Sequence, residues 1–191
     1  MELLGVIMMR IHIAYATKEG QAAKIADYIA EVVRTHGHHA DTAEIVHAKD
    51  GVPAGCDGVI VGSSIHMGKH DTHATEYARH NREALQKVPS AFFSVSLAAH
   101  GDEAEAEGYV VAFEKETGWH PAQVALFAGA LPYTHYGFLK RHLMKKIAAD
   151  KPGSLGTDTS RDYVYTEWDG VRRFTEAFLE RLTSPDHTAS A

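Results

Sequence analysis

The segment Ala16-Thr-Lys-Glu-Gly-Gln-Ala22 carries the residue types of an anion site. Thr17 offers a hydroxyl, Gly20 lets the backbone approach a ligand closely, and an apolar repeat starting at Ala22 makes the continuation a helix. The N–H groups of a helix N-terminus, with the positive end of its dipole, then point into the loop. The loop has neither the Gly-x-Gly-x-x-Gly of dinucleotide folds nor the Gly-Lys-Ser/Thr of P-loops, so a single terminal phosphate suits it better than a pyrophosphate. The plain alternative is a polar N-cap turn. In Gly62-Ser-Ser-Ile-His-Met-Gly68, two hydroxyls and a glycine-ended pair could line a planar ligand. Ser94-Val-Ser-Leu-Ala-Ala-His100 and Ala128-Gly-Ala-Leu-Pro-Tyr133 are weaker signals singly.

Other reactive side chains form no convincing centre. Fourteen histidines include His66, His70 and His73, and a cluster of His36, His38 and His39. The first set straddles a loop-to-helix boundary and the second falls in a turn, so both read as solvent-facing and no metal site is expected. No Ser/His/Asp set or paired acid is apparent. Cys56 is the lone cysteine, which suits a reducing, cytoplasmic setting and a small buried or turn position.

These loops gain weight from the elements around them. Arg10–Ala16 alternates as a strand, and Ala22, Ile25, Ala26, Ile29, Val32 and Val33 repeat at helical spacing up to Gly37. Ala40–Val46, Gly58–Gly62, Ser90–Leu97 and Val124–Gly129 read as four more strands, the third-strand run being fully apolar as in a strand buried on both faces. Helices are expected at Thr72–Lys87, within Asp102–Gly118, at Phe138–Ala149, and from a capping box at Thr166 and Asp169 to Leu182. Alternating strands and helices call for a doubly wound five-stranded parallel α/β sheet. In such sheets ligands bind beyond the carboxyl ends of the strands. The four loops above all lie there, around one crevice.

Composition narrows the classes. A chain of 191 residues, 45% hydrophobic and 23% charged, fits one globular domain, here 10–182 with tails at 1–9 and 183–191. The tail at 1–9 is apolar, but it is too short to span a bilayer and lacks the features of a signal peptide. A net charge of −6 argues against a nucleic-acid partner.

Thr17-Lys-Glu-Gly-Gln21 and Gly62-Ser-Ser-Ile65 resemble the phosphate and ring loops of a flavodoxin-type FMN-binding domain. With Pro89–Leu97, Ala128–Tyr133 and Val164-Tyr-Thr-Glu-Trp168, the sequence is similar to the menaquinone-dependent protoporphyrinogen IX dehydrogenase family, over roughly Arg10 to Leu182. The resemblance implies a flavodoxin-like strand order of 2-1-3-4-5. It implies FMN as cofactor, with Thr17, Lys18, Glu19, Gly20, Gln21 and Ala22 holding the phosphate. Ser63, Ser64, Ile65, His66, Met67 and Gly68 would flank the ribityl chain and one side of the ring, and Ser96, Leu97 and Ala98 the other. Gly68 would supply backbone freedom near the ring. The flavin would carry the redox chemistry and no catalytic side chain is implied.

The implied reaction passes electrons from an organic substrate such as a porphyrinogen to a quinone-type acceptor. The alternative is a flavodoxin-type electron carrier with no substrate of its own, docking on redox partner proteins through an acidic surface. A signalling receiver of the same fold would need acids after the first and third strands, where Ala16-Thr17 and Gly62-Ser63 stand. Ala16 and Ala22 occupy positions where the family carries hydroxyls, which removes two phosphate hydrogen bonds. Asp102–Glu107 is acidic where the family is basic. The basic amphipathic stretch from Phe138 either lies on a membrane surface near quinone or packs on the sheet with a solvated basic face. A homodimer also stays open.

Overall fold

Ile11 and Ile13 point to one side of the first strand and Ala14 and Ala16 to the other, and all four are buried. That strand therefore lies inside a sheet covered on both faces. The structure, a computed structural model, describes residues 8–47 and 49–184; the expected tails lie largely outside them. In chain order the elements are β1 (Arg10–Ala16), α1 (Gln21–Thr35), β2 (His39–Glu44), β3 (Gly58–His66), β4 (Lys69–His70), α2 (Thr72–His80), α3 (Arg82–Lys87) and β5 (Ser90–Ser96). They continue as α4 (Glu103–Thr117), β6 (Gln123–Ala128), β7 (Ala130–Leu131), a 3-10 turn (Tyr133–His135), α5 (Phe138–Asp150), β8 (Tyr163–Val164) and α6 (Trp168–Thr183).

The parallel strands run β2-β1-β3-β5-β6, which is 2-1-3-4-5 when the five long strands are counted in chain order. On one face, Ile25, Ile29 and Val33 of α1 meet Phe174, Phe178 and Leu182 of α6 over Ile11, Ile13 and Phe93. On the other, Tyr77 of α2 and Val110 and Phe113 of α4 pack with Trp119 over Val59, Val61 and Phe92. Burying each such side chain contributes about 1.5–3 kcal/mol, so the helical repeats of α1 and α6 fix which side faces the sheet. Trp119 is a core residue, its indole N–H on Ser90 Oγ at 3.3 Å.

Three local expectations are corrected. The third strand continues past Gly62 to His66 and pairs antiparallel with β4 through a turn at Met67 and Gly68, which have φ of 50° and 77°. Two successive left-handed residues make the tight hairpin that a run of serines does not announce. The expected helix over Thr72–Lys87 is two helices. Asn81 divides them, its side-chain amide donating to the carbonyls of Tyr77 at 3.0 Å and Asp50 at 2.9 Å. Finally, Thr166 does not cap the last helix. Its hydroxyl donates to the Ala128 carbonyl at 2.6 Å and accepts from Gln21 Nε2 at 2.8 Å, and α6 starts two residues later.

The insertion between β6 and α6 has its own small core. Leu131, Tyr133, Tyr136, Ala148 and Leu155 are buried there, with Leu97 and Met144 against them. Gly101 and Gly153, with φ of 122° and 100°, bring the loop after β5 against the loop after α5. A Cβ on Gly153 would lie 1.7 Å from the His100 carbonyl oxygen, so this contact requires glycine.

Candidate functional site

The loops after β1, β3 and β5 meet at the carboxyl end of the sheet, and α5 stands over them. Together they enclose a cleft of about 580 Å³, within the range of small-molecule and cofactor sites. Thr17, Lys18, Glu19 and Gln21 form one end; Ser64, Ile65, His66, Met67 and Gly68 form one wall; Ser96, Leu97 and Ala98 form the floor. Gly20, Ala22 and Ser63 do not line it. Ala22 is fully buried in α1, and the Ser63 hydroxyl accepts the Asp71 N–H at 3.1 Å.

The first loop is shaped for an anion. Gly20, at φ 85°, is the N-cap of α1, and no side chain caps the helix or puts an acid in its first turn. Its first-turn N–H groups lack intrahelical acceptors and are free for a phosphate. The Thr17 hydroxyl accepts the Gly20 N–H at 3.0 Å, which tightens the loop. Gln21 is fixed from behind by Thr166.

The second loop supplies a polar atom without a partner. The Ser64 hydroxyl is buried in the cleft wall and has no hydrogen-bond partner among the described residues. Such an orphaned group costs about 1–3 kcal/mol unless a ligand or water pairs with it. These features fit FMN: a phosphate cradle at one end, a donor-acceptor along the side, and apolar surfaces for a flat ring.

Charge around the cleft is arranged in pairs. Lys18 Nζ lies 3.2 Å from Asp71 Oδ2, and the Asp71 side chain is 2% exposed. Burial pushes the Asp71 carboxyl up, but the His73 N–H, the Lys18 ammonium and the His73 ring outweigh it and hold the group below the usual range. Glu19 accepts from the Tyr136 hydroxyl and from Lys140, each at 2.6 Å. Glu105 accepts from Tyr109 at 2.5 Å and from Lys151. These contacts hold the Glu105 carboxyl down, and burial with Glu105 pushes the Tyr109 hydroxyl up to about 12.

The three histidines fall on different elements, His66 on β3, His70 on β4 and His73 in α2. His70 is half-buried: its Nε2 hydrogen-bonds Ser94 Oγ at 2.9 Å and its ring lies edge-on to Phe92 and Phe113. The largest feature beyond the sequence reading is α5. It neither packs flat on the sheet nor stands apart. Lys140, Leu143, Met144 and Ile147 on it, with Lys151 just beyond, face the cleft, while Phe138 and Leu139 are over 80% exposed. Among the described residues no helix is long and apolar enough to cross a membrane.

Comparisons with known proteins agree with this fold. The profile of the flavodoxin domain family matches residues 12–158. Over 180 residues the chain is 31% identical to the protoporphyrinogen IX dehydrogenase (quinone) of Escherichia coli K12, covering 93% of this chain and 98% of that protein. The protein of the same name from Leishmania major is 33% identical over 168 residues, 86% of this chain and 72% of that one. A short-chain flavodoxin associated with a bacterial microcompartment shares the fold at TM-score 0.55 and 13% identity, covering 92% of this chain and all of that one.

Proposed function

The chain belongs to the flavodoxin domain family, and on that premise we propose that it is an FMN-dependent oxidoreductase of the protoporphyrinogen IX dehydrogenase (quinone) type, taking electrons from a porphyrinogen and passing them to a quinone. The observation that carries this reading is the covered cleft, in which a phosphate cradle, an unpaired Ser64 hydroxyl and an apolar helix stripe face one space. FMN bound there supplies the electron-accepting and electron-donating chemistry. The first-turn amides of α1 hold its phosphate, and Gly20 gives them access. Ser64 pairs with a polar edge of the cofactor. The Met67–Gly68 turn borders the ring, and Leu143, Met144 and Ile147 exclude water and offer an apolar face to a flat organic substrate.

The carrier reading draws on the exposed Glu103 and Glu107 of α4. A carrier would pass electrons through an open flavin edge, whereas here α5 stands over the cleft that would hold the flavin, so the enzyme reading is preferred. Steady-state turnover with protoporphyrinogen and a menaquinone analogue separates the two, because a carrier would shuttle electrons between proteins without that turnover. At the cofactor, Ser64→Ala should raise the FMN dissociation constant roughly fivefold, the worth of one hydrogen bond of about 1 kcal/mol. Titration of the apoprotein by flavin fluorescence measures it, and an unchanged constant would remove Ser64 from the cofactor site.

A further inference from the structure

Helix α5 is tied across the cleft by two similar contacts at its two ends. At the first, Glu19 takes the Tyr136 hydroxyl and the Lys140 ammonium. At the second, Glu105 on α4 takes the Lys151 ammonium, and Tyr109, one turn along α4, donates to the same carboxylate and steadies it. Lys140 and Lys151 are eleven residues apart, so the two ties lie roughly 16 Å from each other along the helix, at 1.5 Å per residue. Leu143, Met144 and Ile147 hang between them into the cleft. Between the ties α5 is held by Arg141, which donates to the Tyr133 and Tyr136 carbonyls at 3.0 Å each, and by Ala148 and Met144 against the small core. The lysine and glutamate side chains are 25–43% exposed, which leaves the ties open to screening by salt.

We propose that Glu19 and Glu105 are positioning residues for the organic substrate, Glu19 holding the start of α5 through Tyr136 and Lys140 and Glu105 holding its end through Lys151, so that its apolar stripe forms the substrate wall. The proposal rests on the oxidoreductase reading above for the identity of what the wall meets. Neither carboxylate transfers a proton or an electron in it; both act through α5. The same arrangement has a consequence for anionic substrates. Lys18, Lys140 and Lys151 on the cleft rim are already matched by Asp71, Glu19 and Glu105. A substrate carboxylate that binds to Lys140 or Lys151 therefore competes with a clamp.

The test uses the full chain with FMN bound and two independent readouts. The first is amide hydrogen exchange over residues 138–150 in the wild type, Glu105→Gln, Glu19→Gln and the double variant. Each single change should speed exchange there about fivefold, as expected for loss of a charge-assisted contact of about 1 kcal/mol. Salt at about 0.5 M should speed it in the wild type and leave the double variant nearly unmoved. The second readout is kinetic. In Glu105→Gln, which lies off the phosphate loop, KM for the organic substrates should rise about fivefold while kcat changes less than about twofold. Glu105→Asp, which keeps the charge, should restore part of the loss.

Unchanged exchange over 138–150 in both single variants would overturn the proposal. A fall in kcat with KM fixed would also overturn it, because Glu105 would then act on the reacting atoms. Faster exchange together with no wild-type turnover would support the clamps and count against the oxidoreductase reading instead.

Discussion

Replacing Gly62 by alanine is expected to destabilise the fold by at least about 3 kcal/mol, the upper end of overpacking costs. Gly62 is opposite Phe93 in the β3–β5 register, and both residues are fully inside the sheet. An added Cβ would lie 1.9 Å from Phe93 Cζ and within 2.4 Å of two other ring atoms. The ring has no room to retreat, since it packs in the core under α1 and α6 with Phe127 at a centroid distance of 6.0 Å. Backbone conformation is not the issue, as Gly62 is not among the positive-φ glycines. The Gly62→Ala/Phe93→Leu double variant should therefore recover part of the loss. Urea unfolding of the three proteins measures it, and a single variant within about 0.5 kcal/mol of the wild type would contradict the close approach. The site depends on the same contact, because Ser64 follows two residues later on that strand.

The second large effect is acid sensitivity centred on His70. Its half-buried ring packs edge-on against Phe92 and Phe113, and burial lowers its pKa from 6.5 to about 4. Between those values the unfolded chain binds a proton that the folded chain refuses, so stability rises with pH across the interval. The neutral imidazole's advantage is complete above about pH 6.5 and is lost as pH falls toward 4. The expected loss is about 2 kcal/mol between pH 7 and pH 5, and about 3 kcal/mol in full. His70→Gln keeps a polar partner for Ser94 without a titrating group. The wild type should lose stability faster than this variant as the pH is lowered, and parallel stability curves would rule out His70 as the cause.

How much could be read from the residues differs from element to element. β1 and β5 announce themselves because they run through the core along most of their length, and α1 because its buried residues recur at helical spacing. The hairpin of β3 and β4 does not. Ser63, Ser64 and His66 interrupt the apolar pattern, since the strand is leaving the core to build the cleft wall. Function and periodicity conflict there. Thr166 misleads for a related reason: its spacing from Asp169 is that of a cap, yet its hydroxyl is taken by Gln21, 145 residues away. The clamps are the extreme case. Glu19 meets Tyr136 across 117 residues, and Glu105 meets Lys151 across 46, so no local signal links them. In the sequence Glu19 is a phosphate-loop residue and Glu105 one of a run of acids at a helix start. The helix of the insertion is legible at Phe138–Ala149, but its place over the cleft is not, because the contacts that set it come from residues far away in the chain.

The overall account stands most directly on electron transfer in the cleft. Protein loaded with FMN and mixed anaerobically with protoporphyrinogen should lose its visible flavin absorbance, and addition of a menaquinone analogue should restore it. If the protein binds FMN but the absorbance persists with protoporphyrinogen present, the proposed activity is contradicted.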